Sequence, residues 1–178
     1  GEVRGGRRRP RDFAVFYRTN AQSRPFEEEL IRRGMPYAIV GATKFYDRKE
    51  VKDLLAYLRL VANPLDTISL TRVINTPPRG IGRTTLDTLT TGAAKTEQGL
   101  FDVVLDPTGI GLAPPLARKV TEFAGIMRRL REMRDGPVTA LLQRAIDETG
   151  YIGWLDDGTP EGSGRADNVR ELLSVTAE

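Results

Sequence analysis

"YRTNAQSRPFEEELIRRGMPYAIVG", residues 17–41, is the stretch whose reading decides the fold. Together with the residues just before it, it predicts a strand, a helix and a second strand in quick succession. "DFAVFYR" (12–18) is a short apolar and aromatic run of the kind that forms a buried strand. Ser23 can cap the following helix, and Pro25 is tolerated in its first turn. Phe26, Leu30 and Ile31 fall at helical spacing, Gly34 ends the helix, and "PYAIVG" (36–41) returns as a strand. In the next segment, "YDRKEVKDLLAYLRLVANP" (46–64), Asp47 and Glu50 have the spacing of a capping box. Val51, Leu54, Leu55 and Leu58 then form one helical stripe, which Asn63-Pro64 stops. Residues 12–72 are therefore expected to be α/β.

After residue 73 the pattern changes to helices separated by Gly and Pro. "PPLARKVTEFAGIMRRLREMR" (114–134) aligns Leu116, Val120, Phe123, Met127 and Leu130, and "PVTALLQRAIDETG" (137–150) gives another helix ended by Gly150. "LDDGTPEGSGRAD" (155–167) reads as an acidic, Gly-rich loop, and "DNVRELLSVTAE" (167–178) as an amphipathic helix without a stop signal. That unfinished helix predicts a piece of a longer chain. Residues 73–178 are expected to be all-α, and residues 1–11 a basic tail or loop.

The chain has 178 residues with neither cysteine nor histidine. Disulfides are excluded, and so is catalysis by cysteine, histidine or zinc. No apolar run approaches a membrane span, and the basic start lacks the apolar stretch of a signal peptide, so a cytoplasmic setting is the expectation. The net charge of +3 is unevenly spread: +4 over residues 1–11, +2 over 12–72 and −3 over 73–178. Contact with a polyanion would have to come from local placement rather than bulk charge.

"VGATKF" (40–45) lacks the Gly-Lys-Ser/Thr ending of a phosphate loop, and adjacent Asp156 and Asp157 read as solvated loop residues. One pattern repeats. "RGIGRTTLDTL" (79–89) and "TGIGLAPPLARKV" (108–120) both place Gly-Ile-Gly before a helix start, with Gly80 and Gly109 29 residues apart. Gly-hydrophobic-Gly leading into a helix is the turn of a helix-hairpin-helix element. Its glycines allow positive φ, and its amides with the helix N-terminus face an anion, usually a DNA phosphate. Arg79 and Arg83 flank the first copy, and Arg118 and Lys119 follow the second.

Residues 12–89 closely resemble the superfamily 1A DNA helicases of the UvrD/PcrA/Rep type. "YRTNAQSR", "FYDRKEVKDLLAYLRL" and "NTPPRGIG" carry the resemblance in order and spacing, and a weaker match continues through "TGYIGWL" to "NVRELLSV". The resemblance implies part of a RecA-like second motor domain (12–72) followed by most of its helical accessory domain (73–178). It implies a fragment of an ATP-dependent 3′–5′ helicase that lacks the ATP-gripping loop and the Mg-binding carboxylates, and so cannot hydrolyse ATP alone.

By the same resemblance, Arg79, Gly80, Ile81, Gly82, Arg83 and Thr84 belong to a duplex-binding face. Gly109, Ile110, Gly111 and Lys119 fall at a second contact, where Pro114-Pro115 departs from the family pattern. Arg18, Asn20, Arg24 and Asn63 lie near the single-strand track. The implied partners are a single-strand/duplex DNA junction, the rest of the helicase chain and repair proteins. A stand-alone DNA-binding or protein-interaction module is the alternative.

Overall fold

The computed structural model describes residues 8–19, 22–40 and 43–177. At its centre is α2 (Lys49–Ala62). Asn63 leaves the helix with ψ 98°, and Pro64 cannot continue it. Glu50, Val51, Asp53, Leu54, Ala56, Tyr57, Leu60 and Val61 are all buried, while Lys49, Lys52, Arg59 and Ala62 are exposed, so α2 turns most of its surface to the interior.

The two halves of α2 serve two apolar clusters. Ala56, Tyr57, Leu60 and Val61 pack with α3 (Thr67–Val73), α4 (Arg83–Thr96), α5 (Leu100–Leu105) and α6 (Pro114–Glu132). Val51 and Leu54, with Phe45, pack against α7 (Val138–Thr149), α8 (Tyr151–Leu155) and α9 (Pro160–Thr176). The stripe expected on α6 is the buried one: Val120, Phe123, Met127 and Leu130 are fully enclosed.

The α/β expectation is not met. Among the described residues the regular structure is helical, with two short 3-10 turns at Pro10–Asp12 and Phe45–Asp47 and no strand. The helix predicted between the two strands is present as α1 (Ser23–Arg32), closed at Gly34 with φ +62°. The flanking runs 13–17 and 35–39 form no ladder, and Phe16 and Val40 are 93% and 94% exposed. Aromatic and β-branched residues favour a strand only where a neighbouring strand takes up their backbone groups and side chains. Residue 41, at the end of the second predicted strand, lies outside the described residues, as does residue 42.

Three local expectations also change. α1 buries Ser23, Arg24 and Glu27, while Phe26 and Ile31 stay 46% and 61% exposed, so its polar side faces the protein. Arg48 is the N-cap of α2, with no side-chain cap; Asp47 pairs instead with Lys52 at 2.7 Å. The supposed loop 155–167 becomes helical from Pro160, because the Thr159 hydroxyl caps α9 by accepting from Gly162 N at 3.0 Å.

Buried polar side chains join α1, α2 and α9. The Arg48 guanidinium donates to Asn168 Oδ1 (2.7 Å) and Ser23 Oγ (2.8 Å), and Asn168 donates to Glu50 Oε1 (2.6 Å). Asp53 accepts from Arg72 (2.7 Å) and from the Tyr151 hydroxyl (2.8 Å). Burial, with Asp53 next, pushes the Tyr151 hydroxyl pKa well up, so it stays a donor. Every buried side-chain polar atom among the described residues has a partner, as a network at this depth requires.

Candidate nucleic-acid interface

The first Gly-Ile-Gly turn connects α3 to α4 and is held from beneath. Ile81 is 1% exposed and belongs to the cluster around α2 and α6. Burying an isoleucine side chain contributes about 1.5–3 kcal/mol, so it anchors the turn. The Arg79 guanidinium turns toward the protein. It donates to the carbonyls of Val73 and Pro77 (3.1 Å each) and to the Tyr57 hydroxyl (2.8 Å). It also lies 5.4 Å from the centroid of the Phe123 ring. The Tyr57 hydroxyl in turn donates to Thr76 O at 2.5 Å. Burial raises its pKa to about 12 despite the Arg79 charge, which keeps it protonated.

Asn75 completes the support: its side-chain carbonyl accepts the amides of Arg79 (2.7 Å) and Ile81 (3.1 Å). The amides of Gly80 and Gly82 have no acceptor among the described residues, and both glycines are exposed. Gly80 has φ +72°, the left-handed conformation that favours glycine. Gly82 does not: it is the extended N-cap of α4, with φ −84° and open space where a side chain would begin. Arg83 and Thr84 open α4 and are exposed; Arg83 has no hydrogen-bond or ion-pair partner among the described residues.

Lys119 comes to this turn from α6. A Cβ placed on Gly80 would collide with its ammonium nitrogen, so the ammonium lies directly over the glycine. Lys119 and Phe123 are four residues apart on α6 and share a face, which receives the turn. The basic residue expected with the second motif thus belongs spatially to the first.

The second Gly-Ile-Gly turn joins α5 to α6 and is built differently. Gly109 and Gly111 both have positive φ, +79° and +77°, with nothing near either one. Ile110 is half-buried and leans on α4, where a Cβ on Gly92 would come within 2.7 Å of its Cγ2. The turn borders an open groove of about 500 Å³ lined by Leu112, Pro114, Ala117 and Thr121, with Arg128 at its edge donating to Leu105 O. The helix start that follows carries Pro114-Pro115 at its first positions.

The remaining predicted residues lie elsewhere. Arg18 is exposed, with its backbone amide on Gln22 Oε1 (2.9 Å). Asn63 caps the end of α2 and accepts from Leu65 N (3.1 Å). Arg24 is 5% exposed and holds Glu171 of α9 (2.7 Å) and Glu28 (2.9 Å), which together lift its pKa against the opposing effect of burial. Asn20 lies outside the described residues. Asn75 and Tyr57 were not singled out from sequence, and Phe123 was read only as a core position of the helix over 114–134. For Asn75 a signal existed, since an asparagine before a Pro-rich turn commonly binds nearby backbone amides.

No group of His, Cys, Asp or Glu among the described residues could hold a metal ion, and the sequence contains no phosphate loop. No helix among the described residues is long and apolar enough to cross a membrane.

Comparison with known proteins gives the family of the chain. Residues 5–108 match the family described as UvrD-like helicase C-terminal domain. Over 173 residues the chain is 43% identical to ATP-dependent DNA helicase PcrA of Bacillus subtilis (strain 168), covering 96% of this chain and 23% of that one. It is 38% identical over 166 residues to proteins of the same name from Staphylococcus epidermidis and Staphylococcus aureus, covering 92% of this chain and 23% of theirs. The chain thus spans about a quarter of the length of these curated relatives. With its family match extending over more than half of its residues, the chain belongs to the UvrD-like helicase C-terminal domain family.

Proposed function

We propose that this chain is the duplex-docking part of an ATP-dependent 3′–5′ DNA helicase, and that it grips phosphates at residues 80–84 together with Lys119. The observation that carries the reading is the Lys119 ammonium over Gly80, beside two glycine amides with no acceptor among the described residues and the start of α4. Backbone amides, a helix N-terminus and a cation converging on one exposed turn make an anion site. Arg83 adds a second cation at its edge. Arg79 takes a supporting part, because its guanidinium is engaged with Tyr57 and backbone carbonyls.

Contacts of this kind bind duplex without sequence preference and weaken with salt. Arg18 and Asn63, both exposed, are proposed to border the single-strand track, with Arg24 bracing α1 against α9. Gly109, Ile110 and Gly111 form a subsidiary contact. ATP and Mg are used elsewhere in the parent protein, so the chain alone is expected to release no phosphate from ATP. The remainder of the helicase chain and repair proteins are its proposed protein partners, and the cytoplasm its proposed setting.

The test is duplex and single-strand affinity of the chain across a salt series, with Arg83→Ala and Lys119→Ala. Each variant should weaken duplex binding for all sequences alike and lower the salt slope by about 1. Unchanged affinity and slope in both would overturn the reading. The exposed Phe13, Val15, Phe16 and Val40 favour a second reading, a protein-interaction module. Under it the chain would show no salt-dependent duplex binding at all.

A further inference from the structure

The support beneath the first turn deepens the duplex-docking reading and rests on it. Four consecutive residues alternate in environment: Arg79 is half-buried, Gly80 exposed, Ile81 buried and Gly82 exposed. The amides alternate in the same way. Those of Arg79 and Ile81 both end on Asn75 Oδ1, at 2.7 and 3.1 Å, while those of Gly80 and Gly82 end on no described residue. A carbonyl oxygen has two lone pairs, so Asn75 Oδ1 is saturated by this pair.

We propose that Asn75 is the positioning residue of the phosphate turn: by taking the Arg79 and Ile81 amides, it leaves the Gly80 and Gly82 amides as the pair that receives a DNA phosphate. The other supports act on side chains. Ile81 is gripped by the apolar cluster and Arg79 by Tyr57, Phe123 and two carbonyls. Those contacts hold the side chains of the turn and engage none of its backbone amides. Asn75 is the group that sets which amides point inward, to its own side-chain oxygen, and which remain for an anion.

The test uses the whole chain and four variants, Asn75→Ala, Asn75→Asp, Arg83→Ala and Lys119→Ala. Amide hydrogen exchange is followed at Arg79 and Ile81, and affinity is measured for a fluorescent blunt duplex of mixed sequence. Asn75→Ala should speed exchange at both amides and weaken duplex binding roughly tenfold, the worth of about one lost hydrogen bond to a charged partner. Asn75→Asp keeps an acceptor oxygen, so exchange should stay slow. Its new negative charge beside the phosphate should lower duplex affinity, most of all at low salt. If Asn75→Ala does not fold, the Asp variant carries the test: fast exchange at the two amides, or duplex affinity equal to the parent's at low salt, overturns the role of Asn75.

The positioning role is overturned if exchange at the two amides is unmoved by Asn75→Ala. It is equally overturned if both Asn75 variants bind duplex like the parent chain while Arg83→Ala weakens it; the interface would then stand without the brace. Should Arg83→Ala and Lys119→Ala leave affinity intact as well, the interface itself is wrong, and the role of Asn75 falls with it.

Discussion

The two Gly-Ile-Gly turns share three residues of sequence and little of their structure. In the first, the isoleucine is buried to 1%, a side chain from the preceding loop binds two turn amides, and a lysine from another helix covers the leading glycine. In the second, the isoleucine is half-buried, both glycines have positive φ with open space around them, and the turn borders a groove. A short motif therefore specifies a backbone bend but not its stiffness. Stiffness comes from what packs beneath the bend, and a site that must present amides to an anion without reorganising depends on it.

The contrast should be sharpest at the isoleucines. Ile81→Ala is expected to cost roughly 2–5 kcal/mol, because the cavity it leaves is enclosed. Ile110→Ala, at a half-buried site, should cost clearly less. Urea titrations of the two variants give the comparison, and equal losses would break it.

Arg79→Ala comes next. It leaves the Tyr57 hydroxyl and two carbonyls without their charged donor, at about 1.5–3 kcal/mol for hydrogen bonds to a charged group, with partial solvent access favouring the low end. Because the guanidinium is turned inward, the loss should register in thermal melting. The salt slope of duplex binding should move less than it does for Arg83→Ala. The reverse ranking would mean that Arg79 swings out to the phosphate.

Gly80→Ala and Gly109→Ala separate the turns more finely. Each puts a Cβ on a left-handed residue, costing about 1–2 kcal/mol. At Gly80 the methyl also displaces Lys119, so duplex affinity should fall along with stability, whereas at Gly109, in the subsidiary contact, stability should fall with a clearly smaller change in affinity. Anisotropy titrations beside thermal melts would show the split.

Gly82→Ala has the smallest expected effect. With φ −84° and open space, it carries only the modest N-cap preference for glycine over alanine, about 0.5–1 kcal/mol. A loss as large as that of Gly80→Ala would show that the approach to Gly82 is crowded when DNA is bound.

Much was determined by the sequence itself. The stripes on α2 and α6, the stop at Asn63-Pro64, the glycine ends of α1 and α7 and the two turn motifs are local patterns, and local hydrogen bonding with helical periodicity is enough to express them. Three things were decided only by tertiary structure. Residues 13–17 have strand-forming side chains, yet a strand exists only where another supplies its ladder, and sequence periodicity does not report that partner. The face that α1 buries is its polar one, because Glu27 and Arg24 find Ser23, Phe45 N and Glu171 in place, and paired polar groups can be enclosed where isolated ones cannot. The convergence of Asn75, Tyr57 and Lys119 on residues 79–82 joins positions up to 62 residues apart, from Tyr57 to Lys119. No motif spacing encodes it; it follows from how α2 and α6 pack around Ile81.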